Sequence, residues 1–251
     1  LSSQATDDLL FYPSSSKGYN SGGFAGGSSS DPTQLQPFRS EKLYAYEAGF
    51  KSDLLGRTLR FNAAAFYYDY RDLQVFVFDT SGVIPVQRKL NAGNAELYGV
   101  EFELQAKPSR YFNAFINASL LHARYKDFTA LAAEDYSGNK LVNAPTYAIS
   151  AGFAVTQPLP GDSALRLRVD GSFQSETFLT PDNARANRVK PYGIANARLS
   201  WLSRNEGLEL ALWAKNITGT RYMTYVSPVI TMDQINYNDP ATYGVQAVLK
   251  F

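Results

Sequence analysis

The chain of 251 residues contains no cysteine, one histidine and almost no net charge. The absence of cysteine excludes disulfides, thiolate metal sites and a cysteine nucleophile. A single histidine leaves little for a histidine-based metal cluster. Lys+Arg 24 against Asp+Glu 23 gives a net charge of +1, so no overall basic field would attract nucleic acid. We predict no catalytic residue, no cofactor, no metal site and no nucleic-acid partner.

Long apolar runs are also missing from the sequence. No stretch of 18 apolar residues occurs, so no transmembrane helix is predicted, and the mean hydropathy of −0.26 is typical of a soluble chain. The chain begins with Leu1 instead of Met, and residues 1–8 show neither a charged n-region nor an apolar h-region. We expect a mature product or, in preference, an internal piece of a longer chain.

Aromatic residues are in excess, with Tyr 17, Phe 16 and Trp 2 making up 14% of the chain. Apolar and polar residues alternate: in 164–175 the odd-numbered residues from Leu165 are mostly apolar, and the even-numbered residues from Arg166 are polar or charged. We call these two alternating sets of a strand its apolar parity and its polar parity. Because successive strand side chains point to opposite faces, such alternation predicts a strand with one apolar and one polar face. It predicts ten strands, over 8–17, 43–51, 58–68, 95–106, 111–121, 147–156, 164–175, 195–201, 207–215 and 241–251.

The connections between these strands alternate in length. The short ones are 52–56, 107–110, 159–163 and 203–207. The long ones are 18–40, 76–93, 127–144, 178–191 and 223–240. An antiparallel meander has this alternation when all short turns lie at one end, as in outer-membrane barrels with short periplasmic turns and long extracellular loops.

Two features favour a membrane barrel over a soluble β-sandwich, which also alternates. The polar parity carries charges in mid-strand, as at Glu101 and Glu103, whereas the apolar parity is almost free of charge, which matches an apolar band of roughly 25 Å facing lipid. Aromatic residues gather near strand ends, as at Tyr67, Tyr68 and Trp201, and interfacial girdles consist of such rings. We predict an all-β fold, a transmembrane antiparallel up-and-down β-barrel.

Five segments carry a family resemblance: SKGYNSGGF (16–24), EKLYAYEAGFKSDLLGRTLRFNAAAFYYDYRDLQV (41–75), NAGNAELYGVEFEL (91–104), LWAKNITGTRY (212–222) and YGVQAVLKF (243–251). Together they resemble the C-terminal barrel half of TonB-dependent outer-membrane receptors. The segments lie in the order and at the spacing usual in that family, and the resemblance covers nearly the whole chain from about residue 8.

The resemblance implies a fold and a function. The ten predicted strands would match the last ten of a barrel of about 22 strands, with the long loops outside the cell. The implied function is TonB-dependent uptake of a scarce solute, such as an iron–siderophore, across the outer membrane of a Gram-negative bacterium. We expect residues 1–251 to be the C-terminal part of such a barrel, without the plug domain and the N-terminal strands.

The resemblance also implies partners. They are outer-membrane lipid, the missing plug domain and remaining barrel strands, TonB through the missing N-terminal part, the barrel-assembly machinery and a small-molecule solute. Alone, the sheet would expose two unpaired edges to lipid, so it would need a partner sheet or closure into a ten-stranded barrel.

Charged residues of the polar parity are candidates for the wall of the solute path. They are Arg166, Arg168, Asp170, Glu101, Glu103 and Arg198. The alternative for each is a solvated barrel interior in which opposite charges pair across strands. Arg166 and Arg168 are the strongest candidates for contact with an anionic solute.

Aromatic residues of the long connections are candidates for ligand capture at the outer mouth, because rings give contact area at low entropic cost. They are Phe128, Tyr136, Tyr225 and Tyr237. The alternative is packing between loops and a place in the outer aromatic girdle. Phe251, an aromatic C-terminus after alternating apolar residues, resembles the signal read by the barrel-assembly machinery; the alternative is a girdle residue.

Two other functions stay open at this point. One is a passive ten-stranded pore without a plug. The other is a ten-stranded outer-membrane hydrolase, in which His122 would act as base beside Asp127, Glu134 and Asp135. The alternative for His122 is an interfacial or solvated histidine.

Overall fold

The computed structural model describes residues 3–24, 37–79, 86–91, 93–130, 134–229 and 232–250. Within these ranges the regular structure consists of β-strands and two 3-10 turns, Arg185–Asn187 and Arg204–Glu206. In chain order the strands are β1 (Ser3–Thr6), β2 (Leu9–Asn20), β3 (Gly23–Phe24), β4 (Pro37–Phe38), β5 (Glu41–Leu54), β6 (Leu59–Arg71), β7 (Gln74–Asp79), β8 (Val86–Asn91), β9 (Asn94–Ser109), β10 (Phe112–Asp127), β11 (Tyr147–Leu159), β12 (Ser163–Gln174), β13 (Thr177–Phe178), β14 (Arg188–Val189), β15 (Tyr192–Leu202), β16 (Leu208–Lys215), β17 (Met223–Val229), β18 (Met232–Tyr237) and β19 (Thr242–Leu249). Among the described residues, no helix has the length and apolar character that a membrane crossing requires.

Eleven of these strands form one antiparallel sheet. Its order is β1-β2-β5-β6-β9-β10-β11-β12-β15-β16-β19, so strands adjacent in the sheet follow one another along the chain once the short strands of the connections are set aside. The predicted all-β, up-and-down antiparallel fold is confirmed. Within the described residues β1 and β19 each have a partner on one side only, so the sheet is not closed.

The sequence pattern predicted ten strands, and the sheet has one more. The additional strand is β1, whose four residues have no apolar alternation by which it could be recognised. It pairs with β2 only as far as Phe11. Among the described residues β2 therefore has no partner on this side from Tyr12 onward, and Pro13, which has no N–H to donate, lies in this segment.

Short and long connections alternate, as the sequence predicted. The short turns are 7–8, 55–58, 110–111, 160–162 and 203–207, all at one end of the sheet, which we call the turn end. In the turn between β11 and β12, Gly161 has a φ of +75°, which glycine adopts without a steric penalty. The long connections at the other end, the loop end, contain four two-stranded sheets: β3–β4, β7–β8, β13–β14 and β17–β18.

The apolar parity of the large sheet is exposed. Leu165 and Leu167 keep 36% and 39% of their surface accessible, and Leu210 and Leu212 keep 46% and 58%. A β-sandwich would bury such residues between two sheets. Exposure along a whole face is instead what a barrel wall presents to hydrocarbon.

The buried hydrophobic cluster lies at the loop end. It consists of Val75 and Val77 of β7, Ala95 of β9, Tyr125 of β10 and Phe128 just beyond it. Tyr125 and Phe128 are each 1% exposed, and their ring centres are 5.0 Å apart. Burial of a large apolar side chain stabilises by about 1.5–3 kcal/mol, so this cluster fixes the β7–β8 hairpin against β9 and β10.

Candidate functional site

The polar face of the sheet forms a concave recess of about 650 Å³ on the side opposite the exposed leucines. Cross-strand register brings its lining together, because Lys51, Asn62, Glu103, Asn117 and Ser150 are successive partners on β5, β6, β9, β10 and β11. The polar side chains of the lining are Tyr12, Glu47, Lys51, Asn62, Glu101, Glu103, Asn117, Ser119, Ser150, Ser172 and Gln174.

The recess is locally acidic, because three carboxylates face one ammonium group. Tyr12 Oη donates to Glu47 Oε1 at 2.7 Å, and Lys51 Nζ lies 5.8 Å from the centre of the Tyr12 ring. Glu103 accepts a hydrogen bond from Asn62 Nδ2 at 2.9 Å. Glu101 is exposed and forms no hydrogen bond or ion pair among the described residues. This arrangement suits a cationic or hydrogen-bond-donating group, since carboxylates accept charge-assisted hydrogen bonds.

A glycine makes room for the tyrosine in this recess. Gly49 lies directly opposite Tyr12 in the pairing of β2 with β5. A Cβ at Gly49 would come within 2.8 Å of Tyr12 Oη and 2.6 Å of the Ala63 carbonyl oxygen. The sequence reasoning did not single out Tyr12, which lies beside Pro13 in the predicted strand 8–17. The available signal was Gly49, a glycine within the polar parity of β5.

Only Glu101 and Glu103, among the six predicted solute-path residues, line the recess. The other four lie on β12 and β15, and their charges are paired. The ion pairs are Arg166–Glu206 at 3.0 Å, Arg168–Asp170 at 3.3 Å and Arg198–Glu209 at 2.7 Å. Arg168 and Arg198 are directly opposed across the two strands, so these carboxylates offset the repulsion of two like charges. A role in solute passage stays a prediction for all six residues.

Glu206, in the turn between β15 and β16, connects three parts of the turn end. Its carboxylate accepts hydrogen bonds from Arg166 Nη2 at 3.0 Å and from Lys250 Nζ at 3.4 Å. The hydrogen bond from Arg166, with a smaller contribution from Lys250, holds the pKa of Glu206 below its usual value. The network therefore joins β12 to the end of the chain beyond β19.

Two of the predicted capture residues, Phe128 and Tyr136, pack against each other at the loop end. Their rings meet edge to face, with centres 5.4 Å apart, and the Tyr136 hydroxyl donates to Glu134. Burial, with this hydrogen bond, raises the pKa of the Tyr136 phenol. Phe128 is buried in the cluster with Val75 and Val77, so it offers almost no ring surface in this arrangement.

The other two predicted capture residues lie on a separate hairpin. Tyr225 of β17 and Tyr237 of β18 are each 45% exposed. Arg221 lies 4.2 Å from the centre of the Tyr237 ring, which places a cation beside an accessible aromatic face. Ligand capture by either tyrosine stays a prediction. Phe251, the predicted assembly signal, lies outside the described residues.

His122 does not meet the acidic residues of the neighbouring loop. It lies on the outward parity of β10, and its ring stacks on Tyr98 with centres 4.5 Å apart. The three carboxylates have other partners: Asp127 accepts from the Asn94 backbone N–H, Glu134 from the Tyr136 hydroxyl and Asp135 from the Ser137 backbone N–H. Within the described ranges no group of three His, Cys, Asp or Glu side chains could hold a metal ion. Among the described residues, the predicted grouping of His122 with these three carboxylates is therefore not formed.

Residues 1–217 match a family model described as TonB dependent receptor-like, beta-barrel. Among curated proteins, the pesticin receptor of Yersinia pestis is 27% identical over 224 residues, which cover 88% of this chain and 30% of that protein. The pesticin receptor of Yersinia enterocolitica has the same identity and coverage. The chain thus spans about 30% of the length of these curated relatives.

Solved structures have the same fold. The ferric yersiniabactin uptake receptor FyuA from Yersinia pestis has a TM-score of 0.83 and 22% identity, covering 100% of this chain and 36% of its own. The ferric preacinetobactin receptor BauA from Acinetobacter baumannii has a TM-score of 0.69 and 18% identity, covering 97% of this chain and 34% of its own. With the family match over 1–217, the chain belongs to the TonB-dependent receptor-like β-barrel family, whose barrels lie in the outer membrane.

Proposed function

We propose that the chain is the C-terminal part of the barrel of an outer-membrane receptor that imports a scarce solute, an iron–siderophore or a similar molecule, by TonB-dependent uptake. The observation that carries the proposal is the division of one sheet into an exposed apolar face and a concave polar face. Relatives described as a pesticin receptor and a ferric yersiniabactin uptake receptor support the solute class.

The proposal assigns one role to the polar recess and another to the exposed tyrosines of the loop end. The polar recess with Glu47, Glu101 and Glu103 packs against the plug domain, which belongs to the receptor outside residues 1–251. The exposed Tyr225 and Tyr237 contact the solute at the outer mouth. Energy reaches the plug through TonB, and no bond of the solute is broken in this barrel wall.

A passive pore and a hydrolase are less well supported. A ten-stranded pore requires a closed barrel, whereas β1 and β19 are unpaired edges of an eleven-stranded sheet in the described part of the chain. A hydrolase requires His122 beside acidic groups, and His122 instead stacks on Tyr98 on the outward face.

Uptake by whole cells tests the proposal. The gene for the full-length receptor is deleted, and uptake of radiolabelled ferric chelates and of oligosaccharides is measured. We expect the loss of uptake of one chelate, restored by the unchanged receptor and abolished again when TonB is removed. Unchanged uptake of every chelate in the deletion strain would contradict the proposal, and uptake that persists without TonB would favour the passive pore.

A further inference from the structure

The outward face carries a row of aromatic side chains near the loop end. Tyr46, Tyr67, Tyr98 and His122 are successive cross-strand partners on β5, β6, β9 and β10. The three tyrosines are 51%, 38% and 45% exposed. On the turn-end side of this row the outward residues are apolar, as at Ala65, Val100 and Leu120. A row of rings bordering an apolar band marks the level of a membrane interface.

Charged residues follow directly on the loop-end side of these rings. The first row, by cross-strand pairing, is Lys17, Tyr44, Asp69, Glu96 and Arg124, and the next is Tyr19, Lys42, Arg71 and Asn94. Lys126 joins them through its contact with Glu96. We call the five cations the cationic rim: Lys17, Lys42, Arg71, Arg124 and Lys126. Against Asp69, Glu96 and Asp127, which pairs with Asn94, these five give the surface a net charge of +2.

Part of the charge of the cationic rim is available to a ligand, and Arg124 donates a hydrogen bond to the Gly138 carbonyl oxygen. Arg71 pairs with Asp69 at 3.0 Å and Lys126 with Glu96 at 3.8 Å. Lys17 and Lys42 are exposed and form no ion pair among the described residues.

A tyrosine organises the centre of the rim. Lys17 Nζ and the Arg71 guanidinium lie 5.1 Å and 4.9 Å from the centre of the Tyr44 ring. Two cations are thus held over one ring, and cation–π contacts of this kind stabilise their position without neutralising their charge.

We propose that the cationic rim binds the phosphate groups of an anionic lipid in the outer leaflet of the membrane. Phosphate fits because guanidinium and ammonium groups bind it through charge-assisted hydrogen bonds. A lipid fits better than a soluble anion because the rim begins two residues, about 7 Å, from the aromatic row and continues into an apolar face. Five strands about 4.8 Å apart give the rim a width of about 20 Å, enough for a head group with more than one phosphate.

Binding of lipid A by the purified full-length receptor in detergent micelles tests this proposal. The variant carries Lys17→Gln with Lys42→Gln, and the probes are bisphosphorylated lipid A, its monophosphorylated form and inorganic phosphate. We expect about 30-fold weaker binding of bisphosphorylated lipid A to the variant, because each basic residue at an anionic lipid surface contributes roughly a factor of five. The monophosphorylated form should bind the unchanged receptor more weakly, and inorganic phosphate should not displace the lipid.

The matched control is Arg57→Gln with Arg204→Gln, which removes two exposed cations at the turn end, whose side chains are 71% and 74% exposed. It should bind lipid A as the unchanged receptor does, as should the charge-retaining pair Lys17→Arg with Lys42→Arg. Equal binding by the glutamine variant of the rim, or an equal loss in the control, would overturn the proposal. Displacement by inorganic phosphate at the same phosphate concentration would assign the rim to a soluble anion instead.

Discussion

At the scale of single residues, the absence of a side chain at Gly49 determines the geometry of the recess. The Tyr12 hydroxyl reaches Glu47 because nothing occupies the space beside Gly49. We predict that Gly49→Val displaces the Tyr12 ring and destabilises the barrel by about 1–3 kcal/mol, the usual cost of forcing extra volume into a packed site. The measurement is the temperature at which the full-length receptor loses its compact form in gel electrophoresis.

Gly18 provides the control for this substitution. It belongs to β2, and an added Cβ there would meet no atom within 4 Å. Gly18→Val should leave the transition temperature nearly unchanged. Equal shifts for the two variants would show that backbone freedom, and not contact with Tyr12, explains the glycine at position 49.

The contacts of Glu206 with Arg166 and Lys250 predict that the stability of the turn end depends on pH. Because Arg166 and Lys250 hold its pKa below the unfolded value of about 4.3, its stabilisation is present above that pH and lost as the pH falls through the folded pKa. We expect Glu206→Gln to lower stability at pH 7 by less than about 1 kcal/mol, since the pairs are half-exposed. Denaturant titrations from pH 7 to pH 3 should show the difference from the unchanged receptor vanish; a constant difference would contradict the assignment.

At the scale of elements, the β7–β8 hairpin depends on a few buried contacts at the loop end. Phe128 is central to them, packed with Val75 and Val77. We predict that Phe128→Ala, which costs about 3–5 kcal/mol in a packed core, loosens this hairpin while the barrel stays assembled. Protease added to intact cells should then cut within the β7–β8 hairpin much faster. Phe76→Ala is the control, because Phe76 is 58% exposed, and it should be cut at the unchanged rate.

Most of the large strands could be predicted because one parity is mainly apolar, as a face in contact with lipid requires. In β2 this parity is interrupted at Pro13, Ser15 and Lys17. β1 could not, since Ser3–Thr6 has no apolar residue other than an alanine. β7 and β8 lie in a connection predicted as a loop, and they are held by tertiary contacts with Tyr125 and Phe128 that no local pattern reveals.

The site was only partly predictable, because alternation gives the face of a residue but not its neighbours. Glu103 and Asn62 lie 41 positions apart in the chain and meet only through the register of β6 with β9. Arg166 was a candidate for an anionic solute on charge alone, yet its guanidinium binds Glu206, whose place in a turn carried no signal. The alternation therefore predicted which side chains lie on the polar face of the sheet. The cross-strand register, which the alternation does not give, determines which of them meet in the recess.

At the scale of the whole molecule, the two edges of the sheet matter most. β1 pairs on one side with β2, and β19 on one side with β16, so both edges of the described sheet present free backbone groups. In hydrocarbon each unsatisfied backbone group costs several kcal/mol, which only closure of the barrel avoids. The exposed leucines suit this sheet to hydrocarbon, where its two edges would need partner strands.

We therefore predict that residues 1–251 expressed alone do not form a monomeric barrel in detergent, because edges β1 and β19 pair with other copies. Co-expression with the preceding part of the receptor barrel as a second chain should restore a compact form that unfolds on heating. The measurements are sedimentation velocity and the heat-dependent shift in gel electrophoresis. A monodisperse, heat-modifiable monomer of residues 1–251 would show that the eleven strands close on themselves. That result would contradict the prediction and support a passive pore as the function.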